Sequence, residues 1–408
     1  MKADIEADKG ASEDRGEALA IMEPLLPGEA TRARRELADL AFDLAAKSAG
    51  LRRNLPEGVL LALCDLVRTM NCYYSNLIEG HNTHPIDIER AMNEEYSQDP
   101  EKRDLQLEAR AHVTVQAWID GGGLAGRAAS KEGVSEMHRR FCELLPDDLL
   151  WVTNPETGES IRVLPGEFRH RDVRVGQHIP VSPGALPRFM DRFEHVYGNP
   201  HLGRVDSVLA AACGHHRLLW LHPFLDGNGR VARLMSYSML HETLDTGGIW
   251  SIARGLARRE TDYKAHLANC DNPRRGDLDG RGHLSEGALA DFARFFLTVC
   301  LDQVAFMEDL IQPDRLRDRI LIWTEEEIRG DRLPPKAGAV VQAVLYRGHL
   351  PRGDASEILG TTDRQARRVT SALLQRGVLT SDSSRSPLKL AFPAKLAPRW
   401  MPGLFPET

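Results

Sequence analysis

The run His222-Pro-Phe-Leu-Asp-Gly-Asn-Gly-Arg-Val-Ala-Arg233 gathers an imidazole, a carboxylate, two glycines around an asparagine and two guanidiniums in one short stretch. An apolar, helix-like run precedes it (Val208 to Cys213, then Leu218 to Leu221), Pro223 breaks that pattern, and a second helical pattern runs from Val231 to Leu244. The motif is therefore a loop between two helices. Gly227-Asn-Gly229 can take backbone conformations closed to other residues, so successive N–H groups can turn inward at the start of the second helix and form an anion hole. Arg230 and Arg233, three residues apart, share a helix face and can reach the same anion. A polyphosphate is the expected ligand. Asp226 beside it would be repelled unless a divalent cation stood between them, and one carboxylate sharing Mg²⁺ with substrate oxygens is the usual arrangement. His222, at the mouth, is a candidate general base. The combination predicts attack by a hydroxyl on a nucleotide phosphate.

These residues fill every position of the Fic (Fido) signature, His-x-Phe-x-Asp/Glu-Gly-Asn-Gly-Arg-x-x-Arg, and the chain resembles that family. The resemblance implies transfer of AMP from ATP to a Ser, Thr or Tyr hydroxyl of a protein, the chain itself included. It implies that His222 deprotonates the hydroxyl and Asp226 holds Mg²⁺. Gly227, Asn228, Gly229 and Arg230 would cradle the α- and β-phosphates, and Arg233 would hold the γ-phosphate.

Three further segments resemble family features. Ser75-Asn-Leu-Ile-Glu79-Gly80 is similar to the inhibitory motif Ser/Thr-x-x-x-Glu-Gly/Asn; Ser75 and Glu79 lie one helical turn apart, and Gly80 is a helix stop. In members with this motif the glutamate pairs with the second motif arginine, here Arg233, and a carboxylate there competes with the γ-phosphate for one guanidinium. Gly166 to Val175, with Arg169, Val173 and Val175, resembles the flap whose edge pairs with the target's backbone. Tyr263, in Glu260 to Leu267, stands where the family places an aromatic near adenine. Two directions stay open: adding AMP to a protein, or removing it with a water positioned by Glu79.

The elements that must position these groups are mostly helical. Leu37, Leu40, Ala41, Leu44 and Ala45 make one amphipathic stripe, and Leu60, Leu61, Leu63, Leu66 and Val67 make another that leads to Ser75. Between Trp151 and Val181 the texture changes: Ile161/Val163 and Val173/Val175 alternate, with Pro165-Gly166 and Gly176 as turns, which predicts a β-hairpin. His215 and His216 diverge by about 100° around a helix, so they cannot both face His222, and a structural role is expected. The fold class is mainly α: a Fic-type helical bundle with a hairpin flap, and a C-terminal winged helix. The expected divisions are a mobile tail (1–30), an N-terminal helical region with the inhibitory helix (31–125), a catalytic core (126–310), a connecting helix and linker (311–335), and the winged helix (336–400).

That last module shows three helical patterns, then two short strands joined by Ser381 to Ser386, an order that resembles a winged helix. From Asp331 onward there are twelve Lys/Arg and six Asp/Glu, a balance of +6; with −7 overall, the first 330 residues carry −13. Arg364 and Arg368 share a face of the third helix, with Arg367 nearby and Arg385 in the wing, which suits DNA contacts. Docking of a protein partner, or of a second copy as a homodimer, is the competing expectation. An alternative reading of the whole chain makes it a DNA-binding regulator with a nucleotide-sensing core. Six cysteines without a Cys-x-x-Cys pair argue against zinc and against a disulfide framework. The charged start, Met1 to Arg15, does not read as a signal peptide, and no segment is apolar enough for a membrane span, so a cytoplasmic location is expected.

Overall fold

In the computed structural model, residues 4–5, 13–53, 55–154 and 157–406 are described. The first described element is a two-residue strand, β1 (Asp4–Ile5), followed by α1 (Arg32–Arg52), α2 (Glu57–Ile78), α3 (Pro85–Met92), α4 (Pro100–Asp120) and α5 (Lys131–Glu143). Thr31, Asp99 and Ser130 cap α1, α4 and α5 by accepting hydrogen bonds from first-turn N–H groups. Pro85 and Pro100 open their helices at a position where a missing N–H costs nothing. Next come β2 (Trp151–Thr153) and β3 (Ser160–Arg162), then β4 (Val173–Arg174), α6 (Leu186–Tyr197), α7 (Arg204–Leu221) and α8 (Asn228–Leu244). The helices α9 (Ala253–Arg258), α10 (Glu260–Cys270), α11 (Glu286–Leu310) and α12 (Pro313–Arg329) follow.

Helices α7 and α8 pack against each other at the centre. Val208 to Leu218 of α7 and Arg230 to Leu240 of α8 are buried without interruption, so these helices have neighbours on every side. Helices α1 and α11 cover α7, while α4 and α5 cover α8. The α1 stripe read from the sequence faces this core, with Leu37, Ala41 and Leu44 fully buried. Among the described residues no helix is long and apolar enough to cross a membrane.

Two expectations are corrected. Residues 13–30 are not a mobile tail: Met22 and Leu25 are buried, Tyr197 Oη donates to the Leu25 carbonyl (2.6 Å), and Arg217 Nη2 donates to the Pro24 carbonyl (2.8 Å). A strap held by backbone carbonyls has no apolar period, which is why its sequence reads as loose. The hairpin also pairs differently. β3 joins β2, closed by a turn in which Thr157 N donates to Asn154 Oδ1 (3.2 Å), whereas β4 pairs antiparallel with β1. Alternation identifies strands but does not name their partners.

The C-terminal part comprises α13 (Ala337–Arg347), α14 (Ala355–Leu359), α15 (Asp363–Gln375), the antiparallel pair β5 (Leu379–Thr380) and β6 (Lys389–Leu390), and a last turn, α16 (Ala397–Trp400). Its end returns to the helix carrying Ser75. Tyr74 Oη donates to the Leu404 carbonyl (3.1 Å), and Phe405 packs edge-on to Tyr73.

Candidate active site

Helix α7 ends at His222, whose backbone is left-handed at φ +48°. That conformation is uncommon for a residue with a side chain and needs support from its surroundings. Arg169 provides it from within the flap: its Nε donates to the His222 carbonyl (2.8 Å), its Nη2 to the Val181 carbonyl (2.6 Å), and its backbone N–H to the Pro223 carbonyl (2.8 Å). The Arg169 guanidinium is buried, so the residue is an internal strut and not part of an outward docking edge.

The loop beyond is closed by Asn228. Its Oδ1 accepts from Phe224 N–H (2.9 Å) and its Nδ2 donates to the Phe224 carbonyl (2.8 Å), so this side chain shapes the loop. Gly227 follows the turn at φ +79°, where a Cβ would be strained. His138 completes the frame. Its ring stacks on Phe224 at 3.9 Å between centroids, and its Nδ1 accepts from Gly166 N–H (2.9 Å), fastening flap to motif. Asn228→Ala removes the partners of two buried backbone groups, and a loss of about 2–4 kcal/mol is expected. Urea unfolding would measure it.

His222 itself is 4 % exposed, and its Nδ1 has no hydrogen-bond partner among the described residues. Burial, reinforced by the nearby Arg169 charge, pushes its pKa down to about 3. The imidazole is therefore neutral at pH 7, the form a general base requires.

The two motif arginines are held by different carboxylates. Arg233 donates from Nε to Ser75 Oγ (2.8 Å) and from Nη2 to Glu79 Oε1 (2.6 Å). Burial opposes ionisation of Glu79, but the Arg233 charge, with Arg230 behind it, outweighs burial and holds the carboxyl well below the usual range. Gly229 makes this possible, because a Cβ there would collide with the Glu79 carboxylate. Arg230 instead donates from Nη2 to Glu108 Oε2 (2.8 Å) on α4, with its guanidinium over the Phe141 ring at 5.2 Å. His81 Nδ1 meets the same Glu108 oxygen at 2.7 Å. Sequence reading missed Glu108, His81 and His138, since no motif marks them and only the packing of α4, α5 and the turn after α2 around α8 brings them in.

Glu79, Val175, His222, Gly229, Arg233 and Tyr263 line one cleft. Tyr263 reaches its wall, but its hydroxyl is bound to His215 Nε2 (2.7 Å). His215 also meets Ser236 Oγ, and His216 meets Asp271 Oδ1 (3.0 Å), so both histidines serve internal hydrogen bonds. Asp226 is exposed beside the glycines. No group of three or more His, Cys, Asp or Glu side chains gathers as a metal site among the described residues, so a cation here would rest on Asp226 and on ligand oxygens, a donor set that suits Mg²⁺. Arg364, Arg367, Arg368 and Arg385 are exposed, the first three on α15 and the last between β5 and β6.

Residues 128–240 match the Fic/DOC family. Protein adenylyltransferase Fic of Drosophila virilis is 32 % identical over 134 residues, covering 33 % of this chain and 28 % of that protein. The protein of the same name from Drosophila sechellia is 45 % identical over 134 residues, covering 33 % of this chain and 27 % of its own length. The chain thus spans little more than a quarter of the curated relatives it matches. A crystal structure of a Fic family protein from Desulfovibrio desulfuricans G20 superposes over 90 % of this chain and 98 % of that one, with a TM-score of 0.53 at 17 % identity, so the fold is shared through most of both molecules. Residues 128–240 of this chain thus carry a Fic/DOC domain, within a fold shared with a Fic family protein.

Proposed function

We propose that the chain is a protein adenylyltransferase restrained by its own Glu79. The observation that carries this reading is the cleft in which a neutral, buried His222 faces the Glu79–Arg233 pair at the start of α8. The names of the Drosophila relatives point the same way. In the proposed reaction the target hydroxyl gives its proton to the His222 imidazole as its oxygen bonds to the α-phosphorus of ATP. The bond from that phosphorus to the β-phosphate oxygen breaks, and pyrophosphate leaves. The N–H groups of Gly227 to Gly229 and the positive end of α8 stabilise charge on the phosphates, Arg230 adds to it, and Arg233 takes the γ-phosphate. Asp226 would hold Mg²⁺, which supplies charge neutralisation on the phosphate oxygens. Glu79 blocks that seating because Arg233 cannot bind its carboxylate and a γ-phosphate in the same place. Removal of AMP remains the reverse option for the same groups. Residues 126–310 form the catalytic unit in this reading, and 31–125 bring the inhibitory helix to it.

Intact-mass measurement of wild type and Glu79→Gly incubated with ATP and Mg²⁺ tests the reading. A gain of one AMP, strong in Glu79→Gly and weak in wild type, is expected. Absence of any gain from a folded Glu79→Gly protein, alone and with candidate targets, would sink it.

We propose a separate nucleic-acid role for the C-terminal module, favoured by the exposure of Arg364, Arg367, Arg368 and Arg385. Binding should weaken steeply as salt rises, and fall further in Arg364→Ala/Arg368→Ala. Retention of a labelled duplex that is insensitive to both changes would count against it.

A further inference from the structure

We infer that the chain's own N-terminal strand occupies the edge of the flap as a pseudosubstrate, a second restraint that acts on the acceptor side of the site. This rests on the adenylyltransferase reading. β1 pairs antiparallel with β4, Asp4 opposite Arg174 and Ile5 opposite Val173. The next flap residue, Val175, lines the cleft with His222 and Arg233. A strand on this edge takes the main-chain hydrogen bonds that any extended target segment would need there.

The strand is delivered by a clamp at the flap's base. Ser182 donates from N–H to Glu17 Oε1 and from Oγ to Glu17 Oε2, both at 2.8 Å. Arg15 N–H donates to Ser182 Oγ (3.2 Å), and its guanidinium meets Asp172. Arg188 grips Asp14 through two bonds of 2.6 and 2.8 Å. Asp14, held by Arg188 of α6, and Ile5, paired with Val173 of β4, are close in the chain, so the strand faces its edge at an effective concentration on the order of millimolar. Met1 to Ala11 contain no Ser, Thr or Tyr, and the first hydroxyl is Ser12. Asp4 and Ile5 occupy the docking edge, and the sequence around them offers the base nothing to deprotonate.

Two measurements in a Glu79→Gly background test this. Asp4→Cys/Arg174→Cys places cysteines directly opposite each other in the register, a separation that suits a disulfide. The six native cysteines are buried and do not compete. Mild oxidation is expected to join the pair in the monomer, and peptide masses would identify the link. In parallel, serine or tyrosine is placed singly at Lys2, Ala3, Asp4 and Ile5, each protein is given ATP and Mg²⁺, and the modified residue is mapped. At least one introduced hydroxyl should gain AMP, at a rate independent of protein concentration and at least about tenfold faster than any other site. Failure of the cross-link overturns the strand's placement. A cross-link with AMP appearing only at other hydroxyls overturns the pseudosubstrate role while leaving the transferase reading intact. A cross-link with no AMP on any variant overturns the transferase reading, and the role built on it, while leaving the strand where it is.

Discussion

Replacing His222 by alanine in a Glu79→Gly background is expected to lower the rate of AMP transfer by about 10²–10⁴-fold, the usual contribution of a positioned general base. The loss should be confined to chemistry. The left-handed turn at residue 222 is held by Arg169 through a backbone carbonyl and by the amide bond to Leu218, so neither hold depends on the imidazole. The substitution also deletes a buried nitrogen that has no partner among the described residues, which offsets part of the packing lost. Near-wild-type unfolding with a collapsed transfer rate is therefore the expected pair of results. A rate reduced less than about tenfold would remove His222 from the base's role. The low pKa adds a second mark. With a value of about 3 in the free protein, the base is already deprotonated across the physiological range. The profile of kcat/KM should then lack a limb centred near 6.5, where an ordinary histidine would place one.

The parts of this site that were legible in the sequence are those whose spacing is itself the chemistry. Gly227-Asn-Gly229 must be small and consecutive to expose N–H groups, and Arg230 and Arg233 must follow on the helix that begins there. Ser75 and Glu79 were legible for the same reason, since one helical turn puts both within reach of one guanidinium; the structure sets them against Arg233, far away in the chain. The residues that hold this arrangement were not legible. Glu108 is an ordinary glutamate on a solvated-looking helix until α4 packs against α8. His138 looks like any histidine of an amphipathic helix until Phe224 lies against it. Arg169 reads as a flap surface charge, yet its guanidinium is spent on backbone carbonyls. Periodicity likewise revealed strands at Ile161 and Val173 but not that β4's partner would come from the other end of the fold, because register and partner depend on long-range geometry.

Lowering the pH from 7 toward 5 is expected to destabilise the protein far more than its surface charges would predict. His112, His138, His215 and His222 are buried, and burial pushes each of their pKa values down to about 3. His178 and His216 shift in the same direction for the same cause. The sign follows from which state binds the proton. Unfolding returns each ring to water, where it takes up a proton below about pH 6.5, while the folded protein refuses it until much lower. The stability these rings contribute is complete above pH 6.5 and is lost progressively as pH falls toward 3. Each lowers the unfolding free energy by about 1.4 kcal/mol per pH unit within that window, so the four together remove several kcal/mol by about pH 5.5. The Glu79 carboxyl, held low by Arg233, acts in the same direction but only below the ordinary carboxylate range, so the loss above pH 5 belongs to histidines. His112 isolates the effect. Neither of its ring nitrogens has a partner among the described residues, and the charges of Arg233 and Arg230 add to burial in opposing its protonation. His112→Leu removes one of these six downward-shifted titrations, so the slope of unfolding free energy against pH, read from urea midpoints between pH 7 and 5, should fall by roughly a sixth to a quarter. An unchanged slope would show that these rings take up protons without unfolding, and that the core around α8 is open to water.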